Sequence, residues 1–178
     1  SQSFDDLPAE RTIQATARLV EELGGKAIPV AVDHDDDDQV RALFDRVASE
    51  QGRLDVLVNN VYKIPHPPAW GGGFWEHPIS VWDDQCGVGL RGYYVASVLG
   101  APLMVANRSG LIVNISSGGG DTYAFSASYG VCKAGVDRMA QDMAIELKAH
   151  RVAALSLRPG VVKTEFILDA VASGAARM

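Results

Sequence analysis

The sequence predicts an α/β protein, a doubly wound parallel sheet in a three-layer α/β/α arrangement. Three observations predict it. Apolar strand-like runs alternate with helix-periodic segments, and the strands recur at a spacing of roughly forty residues, as βαβ crossovers require. At least one run, Leu54-Asp-Val-Leu-Val-Asn-Asn60, is apolar on both faces, the pattern of a buried parallel strand. The residues with chemical potential cluster where runs end: Asp33, Asn59-Asn60, Ser116-Ser117 and Pro159-Gly160. In such sheets ligands bind at the carboxyl ends of the strands.

The elements follow in order. Residues 8–23 read as a helix, because Ile13, Ala17, Val20 and Leu23 recur at helical spacing, Pro8 suits a first turn and Gly24-Gly25 ends it. Lys26-Ala-Ile-Pro-Val-Ala-Val-Asp33 reads as a strand. Residues 35–51 give a second helix with Val40, Leu43, Phe44 and Val47 inward and Gly52 closing it. After the strand at 54–60, the stretch from Tyr62 to His77 carries Pro65, Pro67, Pro68 and Gly71 to Gly73 and is expected to be a long, functional loop. Residues 80–106 are helical, with Gly87, Gly89, Gly92 and Pro102 inside them. Gly110 to Ser116 is a third strand and 126–150 a long helix. Val152 to Leu157 is a fourth strand, running into Arg158-Pro159-Gly160.

The bulk numbers fit one globular domain over 1–178. Of the 178 residues, 47% are hydrophobic and 21% charged, which excludes disordered and fibrous classes. A net charge of -6 argues against nucleic acid and anionic membranes as partners and leaves a small molecule. Cys86 and Cys132 lack Cys-x-x-Cys spacing, so reduced thiols and a cytoplasmic location are expected. No apolar run approaches the ~18 residues of a membrane span.

Tyr129 and Lys133 are the leading candidates for chemistry. On a helix, positions four apart share a face, and an ammonium beside a phenol favours the ionised form. A serine hydroxyl nearby can hydrogen-bond an oxygen on which charge develops, and Ser116 and Ser117 end the third strand. The pair alone proves little, since roughly one chain in three of this length holds a Tyr-x3-Lys by chance. Other candidates fail on context. Gly87-Val-Gly89-Leu-Arg-Gly92 matches G-x-G-x-x-G, but it sits between helix-like segments rather than after a strand, so close packing is its expected role. Gly71 to Gly73 and Gly118 to Gly120 read as loop flexibility. Asp35 to Asp38 lack the glycine and glutamate of a calcium loop and read as a solvated helix cap. His34, His66, His77 and His150 show no metal-ligand spacing, and Ser116-Ser117 lack the glycine of a hydrolase elbow.

Four motifs in order, Leu54 to Asn60, Ile115-Ser-Ser117, Tyr129-x3-Lys133 and Arg158-Pro-Gly-Val-Val-Lys-Thr164, resemble the short-chain dehydrogenase/reductase family. Phe74-Trp75-Glu76 with Trp82-Asp-Asp84 is similar to one branch of it. The resemblance implies a Rossmann-type sheet and an NAD- or NADP-dependent reaction at a carbonyl or secondary alcohol, with NADP the favoured form. It implies a homo-oligomer, with the helix at 126–150 at the subunit interface. It also implies that Tyr129 exchanges the proton, that Lys133 tunes the phenol and holds the nicotinamide ribose, and that a serine orients the substrate oxygen. Strand ends align Ser117 with that serine, while a separation of thirteen from the tyrosine favours Ser116; Ser117 is chosen. Asp33 and the backbone of His34 match the adenine contacts and Asn60 and Val61 the floor under the adenine ribose. Pro159, Gly160, Val162 and Thr164 match the nicotinamide side.

The sequence departs from the family pattern in two places. Gly89 stands where a Val-Asn-Leu-x-Gly motif has its asparagine, and Tyr62 stands where an Asn-Asn-Ala-Gly motif has its last glycine. The first strand and glycine-rich phosphate loop of the family are expected ahead of Ser1, and only a helix-like tail follows Thr164. The expectation is therefore a piece of a protein of roughly 250–310 residues, with two sheet edges exposed. Gly89 and the missing loop also motivate a second reading, a binding or scaffold protein that keeps the fold without turning over a cofactor.

Overall fold

The computed structural model describes residues 12–66, 68, 69 and 72–173. The first helix, α1 (Ile13–Glu22), starts where Thr12 Oγ1 accepts the Ala15 N–H at 3.2 Å. It ends ahead of Gly24, whose φ of 84° is a left-handed turn that glycine adopts without strain. Pro8, expected in its first turn, lies outside the described residues. Helix α2 (Asp37–Gln51) is capped by Asp36, whose carboxylate accepts the N–H groups of Asp38 and Gln39. The acidic run thus serves as the expected cap, and two of its members also form surface pairs, Asp35 with Lys63 and Asp37 with Arg91. Val40 and Phe44 turn inward, as their spacing predicts.

The sheet has three parallel strands, β1 (Val56–Asn59), β2 (Gly110–Ile115) and β3 (Val152–Leu157), in the order β1-β2-β3. Val58 lies beside Val113, and Val113 beside Leu155, so the strands finish level with one another. The strand expected at 26–33 is not formed. A strand exists only through a neighbour's hydrogen bonds, and among the described residues none lies alongside this segment; the Asp33 N–H donates to Gln39 Oε1 instead.

Helix α3 (Ser80–Asn107) connects β1 to β2, and α4 (Ala127–Leu147) connects β2 to β3. Helix α5 (Glu165–Ala172) follows β3. Within α3, residues Asp83–Arg91 widen to π-helical geometry, which places Gly87 and Gly89 in the swollen turns. The G-x-G-x-x-G pattern therefore lies inside a helix, as expected. By length and composition α3 could cross a membrane, with a mean hydropathy of 1.3 over its most apolar window, contrary to the expectation that no segment approaches this. Its apolar side has another use here. Ala101, Met104 and Val105 pack with Ile112, Leu147 and Val152 of the sheet and α4, while Val95, Ala96 and Leu99 pack with Val40 and Phe44 of α2. Burying a side chain such as Met104 or Ile112, both wholly inaccessible, contributes about 1.5–3 kcal/mol.

Helices α2, α3 and α4 thus cover one face of the sheet. On the other face Val56, Val58, Leu155 and Leu157 remain 41–54% exposed. The α/β class stands, and the described residues supply the sheet with one of its two helical layers. Between sheet and helix, the Asn59 side-chain amide donates to Asn114 Oδ1 at 2.8 Å and to Ser97 Oγ at 3.1 Å, tying the end of β1 to β2 and α3.

Candidate active site

The site is built on the first turns of α4. Ser126 Oγ accepts the Tyr129 N–H at 3.2 Å, which caps the helix at the residue it must present. Ser126 and Ser128 both donate to Gln85 Oε1, which fastens that cap to the π-helical segment of α3. Tyr129, Lys133 and Asp137 then occupy one face at successive turns.

Lys133 is 6% exposed, and its ammonium donates to the Ile115 carbonyl at 3.1 Å. Three aromatic rings surround it: Nζ is 5.0 Å from the ring centre of Tyr62 and 6.0 Å from those of Tyr93 and Tyr129. Those distances are in the range where a ring face attracts a cation. Burial holds Lys133 below the usual lysine range, opposed by Cys132 and Asp137. Burial also pushes the phenols of Tyr62 and Tyr93 well up, so both stay neutral.

The Tyr129 ring is wedged from several sides. Phe125 meets it edge-on at 5.0 Å and Tyr62 at 6.0 Å. Phe125 itself sits at φ 61°, an uncommon conformation for a bulky residue and the kind of strain that gathers at functional sites. On another side, a Cβ added to Gly119 would fall 2.5 Å from Tyr129 Cε1. A Cβ on Gly120 would fall 2.9 Å from Asp137 Oδ2 and 3.0 Å from the Ala134 nitrogen. Gly119 and Gly120 are therefore required for close approach to α4, which corrects their reading as flexible, while a Cβ on Gly118 would meet nothing within 4 Å.

The two serines part company at this turn. Ser116 is buried and donates to the Lys133 carbonyl at 3.3 Å. Ser117 Oγ accepts the Gly119 N–H at 3.1 Å, which leaves its own proton to donate elsewhere, and it heads the turn that leans on Tyr129. Below them, burial pushes the Asp137 carboxyl up, but hydrogen bonding to Arg158 and the nearby serine hydroxyl dipoles more than offset this and leave it below the usual carboxylate range. Arg158 clamps Asp137 and Asp121 together, binding the exit of β3 to α4 and to the turn after β2.

The remaining candidates lie around the strand ends. His34 adjoins α3, with its carbonyl 3.8 Å from where a Gly92 Cβ would lie. Lys63 holds that side together by pairing with Asp35 at 3.2 Å and Asp84 at 2.8 Å. Asn60 and Val61 follow β1, Asn60 exposed and Val61 half-buried. Pro159 and Gly160 follow β3 and are exposed, as is Val162, while Thr164 caps α5 through the Ile167 N–H. A cavity of about 260 Å³ opens between Phe74, Trp75, His77, Tyr123 and the Ser126-Ala127 start of α4.

Several features fit a nicotinamide dinucleotide. Among the described residues the buried Nδ1 of His34 has no partner. Lys133 commits one of its three N–H donors to Ile115. Gly160, at φ 75°, has open space beside it.

Tyr62, Tyr93, Gln85 and Asp137 were not found as site residues from sequence. Asp137 had a readable signal, being four residues beyond Lys133 on the same helical face. The others reach the site only through tertiary packing.

Fold and site together define an α/β protein with a parallel sheet, whose candidate acid–base residues gather where the strands end. The chain belongs to the short-chain dehydrogenase/reductase family: the family model for short chain dehydrogenases matches residues 7–172. Within that family it falls in the branch of dehydrogenase/reductase SDR family member 1, and it is 48% identical over 164 residues to that protein of Mus musculus, covering 90% of this chain and 52% of the mouse one. It is 33% identical over 159 residues to the (-)-trans-carveol dehydrogenase of Rhodococcus erythropolis, covering 87% of this chain and 55% of that one. Among solved structures, a metagenomic short-chain oxidoreductase in complex with NADP superposes with a TM-score of 0.75 at 33% identity, covering 93% of this chain and 75% of that chain. The chain spans about half the length of the curated relatives it matches.

Proposed function

We propose that the whole protein passes hydride between a nicotinamide cofactor and a carbonyl or secondary alcohol. The observation that carries the reading is the buried Lys133 ammonium set against the Tyr129 ring at the strand ends. Tyr129 Oη gives its proton to the substrate oxygen in the reductive direction and takes it back in the oxidative one. Lys133 places a positive charge beside the Tyr129 ring and has donors to spare for ribose hydroxyls. Ser117 Oγ–H orients the substrate oxygen, since Ser116 is occupied under α4. The cofactor supplies the hydride, and the relative solved with NADP supports NADP over NAD. Asp33, His34, Asn60 and Val61 hold its adenosine end, and Pro159, Gly160, Val162 and Thr164 flank the nicotinamide. Buried free thiols at Cys86 and Cys132 support a cytoplasmic setting, which cell fractionation tests. Exposed Val131 and Ile145 on α4 support a homo-oligomer, which sedimentation velocity tests.

The decisive experiment is Tyr129→Phe in the whole protein, assayed with NADPH and an activated dicarbonyl such as 9,10-phenanthrenequinone. Loss of the general acid lowers kcat by about 10²–10⁴. Unchanged turnover rejects the reading. Calorimetry showing NADPH binding without turnover favours a binding protein instead.

A further inference from the structure

Positions 62 and 89, where the sequence leaves the family pattern, touch each other. A Cβ built on Gly89 falls 2.9 Å from Tyr62 Cδ2 and 3.3 Å from Tyr62 Cε2, so the Tyr62 ring stands in the space that a side chain at 89 would need. The contact is with the base of a rigid ring, so it cannot be relieved by a small tip rotation. The same ring has the shortest of the three approaches to Lys133 Nζ, at 5.0 Å, and stands edge-on to Tyr129 at 6.0 Å. Its hydroxyl lies on the side of Gln85, the residue that also fastens the Ser126 cap. The Tyr62 ring is thereby packed against both groups that carry the proposed chemistry.

We propose that Tyr62 is a positioning residue that takes the place of the side chain missing at Gly89, filling that volume, covering the Lys133 ammonium and bracing the Tyr129 ring. The two departures are then one compensated exchange rather than two independent losses: a large residue after β1 requires a glycine in α3. That glycine lies within the π-helical turns of α3. The reach of Tyr62 is through Lys133 and Tyr129, the two groups its ring stands against. This inference rests on the hydride-transfer reading for its catalytic half, and its packing half stands alone.

The two halves have separate tests in the whole protein. For packing, thermal unfolding without cofactor is measured for Gly89→Ala, Tyr62→Ala and the double variant. Gly89→Ala is expected to lower Tm by about 4–8 °C with Tyr62 present and to add almost nothing once the ring is removed. Additive shifts overturn the inference whether or not the protein turns over. For positioning, kcat and KM for NADPH are measured with 9,10-phenanthrenequinone. Tyr62→Ala is expected to lower kcat about tenfold or more while KM moves less than about threefold. Tyr62→Phe, which keeps the ring, is expected to restore most of that loss, and so is Tyr62→Gly combined with Gly89→Asn. Full kcat in Tyr62→Ala overturns the inference, as does equal damage from Tyr62→Phe. A parent protein without turnover rejects the functional reading and leaves the unfolding cycle to decide this one.

Discussion

A single methyl group at position 119 is expected to move the proposed acid–base residue. The Cβ of Gly119→Ala would lie 2.5 Å from Tyr129 Cε1, 2.9 Å from Cδ1 and 3.3 Å from the Ala124 Cβ. Carbon atoms rest at about 3.5–4.0 Å, so the ring must retreat by about 1 Å or the turn must rise by as much. Phe125 and Tyr62 hold the ring edge-on from other directions, which leaves it no free path sideways. A displacement of about 1 Å at a reacting group can cost about 10²-fold in rate, equivalent to about 2.7 kcal/mol of barrier. Gly118→Ala is the control, because nothing lies within 4 Å of a Cβ at that position. Both variants of the whole protein are to be compared in kcat with NADPH and 9,10-phenanthrenequinone, with Tm recorded alongside. Gly119→Ala should lose about a hundredfold and Gly118→Ala less than about threefold. The reasoning is refuted if Gly119→Ala keeps its turnover, or if the two variants are equally impaired.

Lys133→Met removes a buried ammonium that the fold holds below its usual titration range. A lowered lysine means that the unfolded chain binds more protons, so the parent gains stability as pH rises from the lowered value towards about 10.4. The variant should lose that slope, hold its Tm at neutral pH and lose turnover, which unfolding scans across pH 7 to 11 and kcat will check. Asp137→Asn acts in the opposite sense. Its carboxylate lies below the usual range, so it stabilises the fold above about pH 4 and that contribution fades on further acidification. Arg158 is partly exposed, which discounts the pair, and a loss of about 1–3 kcal/mol at pH 7 is expected in urea titrations, shrinking towards pH 3.

The fold was legible wherever the pattern was local. Helix α2 follows from the spacing of Val40 and Phe44 and from an acidic cap, and β2 and β3 from continuous apolar runs, all readable within one window of sequence. The segment 26–33 has the same apolar character but no neighbouring strand among the described residues, and no local signal reports a neighbour. Tyr129 and Lys133 were readable because helical spacing alone puts them together. Tyr62 was readable only as a departure from a motif, since its contact with Gly89 joins residues 27 positions apart through the π-helical part of α3. Gly119 and Gly120 escape a sequence reading for the same reason: their need is a neighbour's ring and backbone, and both belong to α4.

The surroundings of Lys133 bear on what its charge can do. Among the described residues it has no salt-bridge partner; its contacts are one backbone carbonyl and three aromatic rings. The nearest acid on its own face, Asp137, is held by Arg158. A carboxylate in contact would stabilise the ammonium but also cancel its field, and a phenolate one turn away would gain little from a neutralised pair. Ring faces attract a cation without cancelling it, because a quadrupole carries no net charge. The arrangement therefore keeps the ammonium in a low-dielectric setting while leaving its charge to act on Tyr129, and Arg158 contributes to that outcome by occupying Asp137 rather than by touching the site itself.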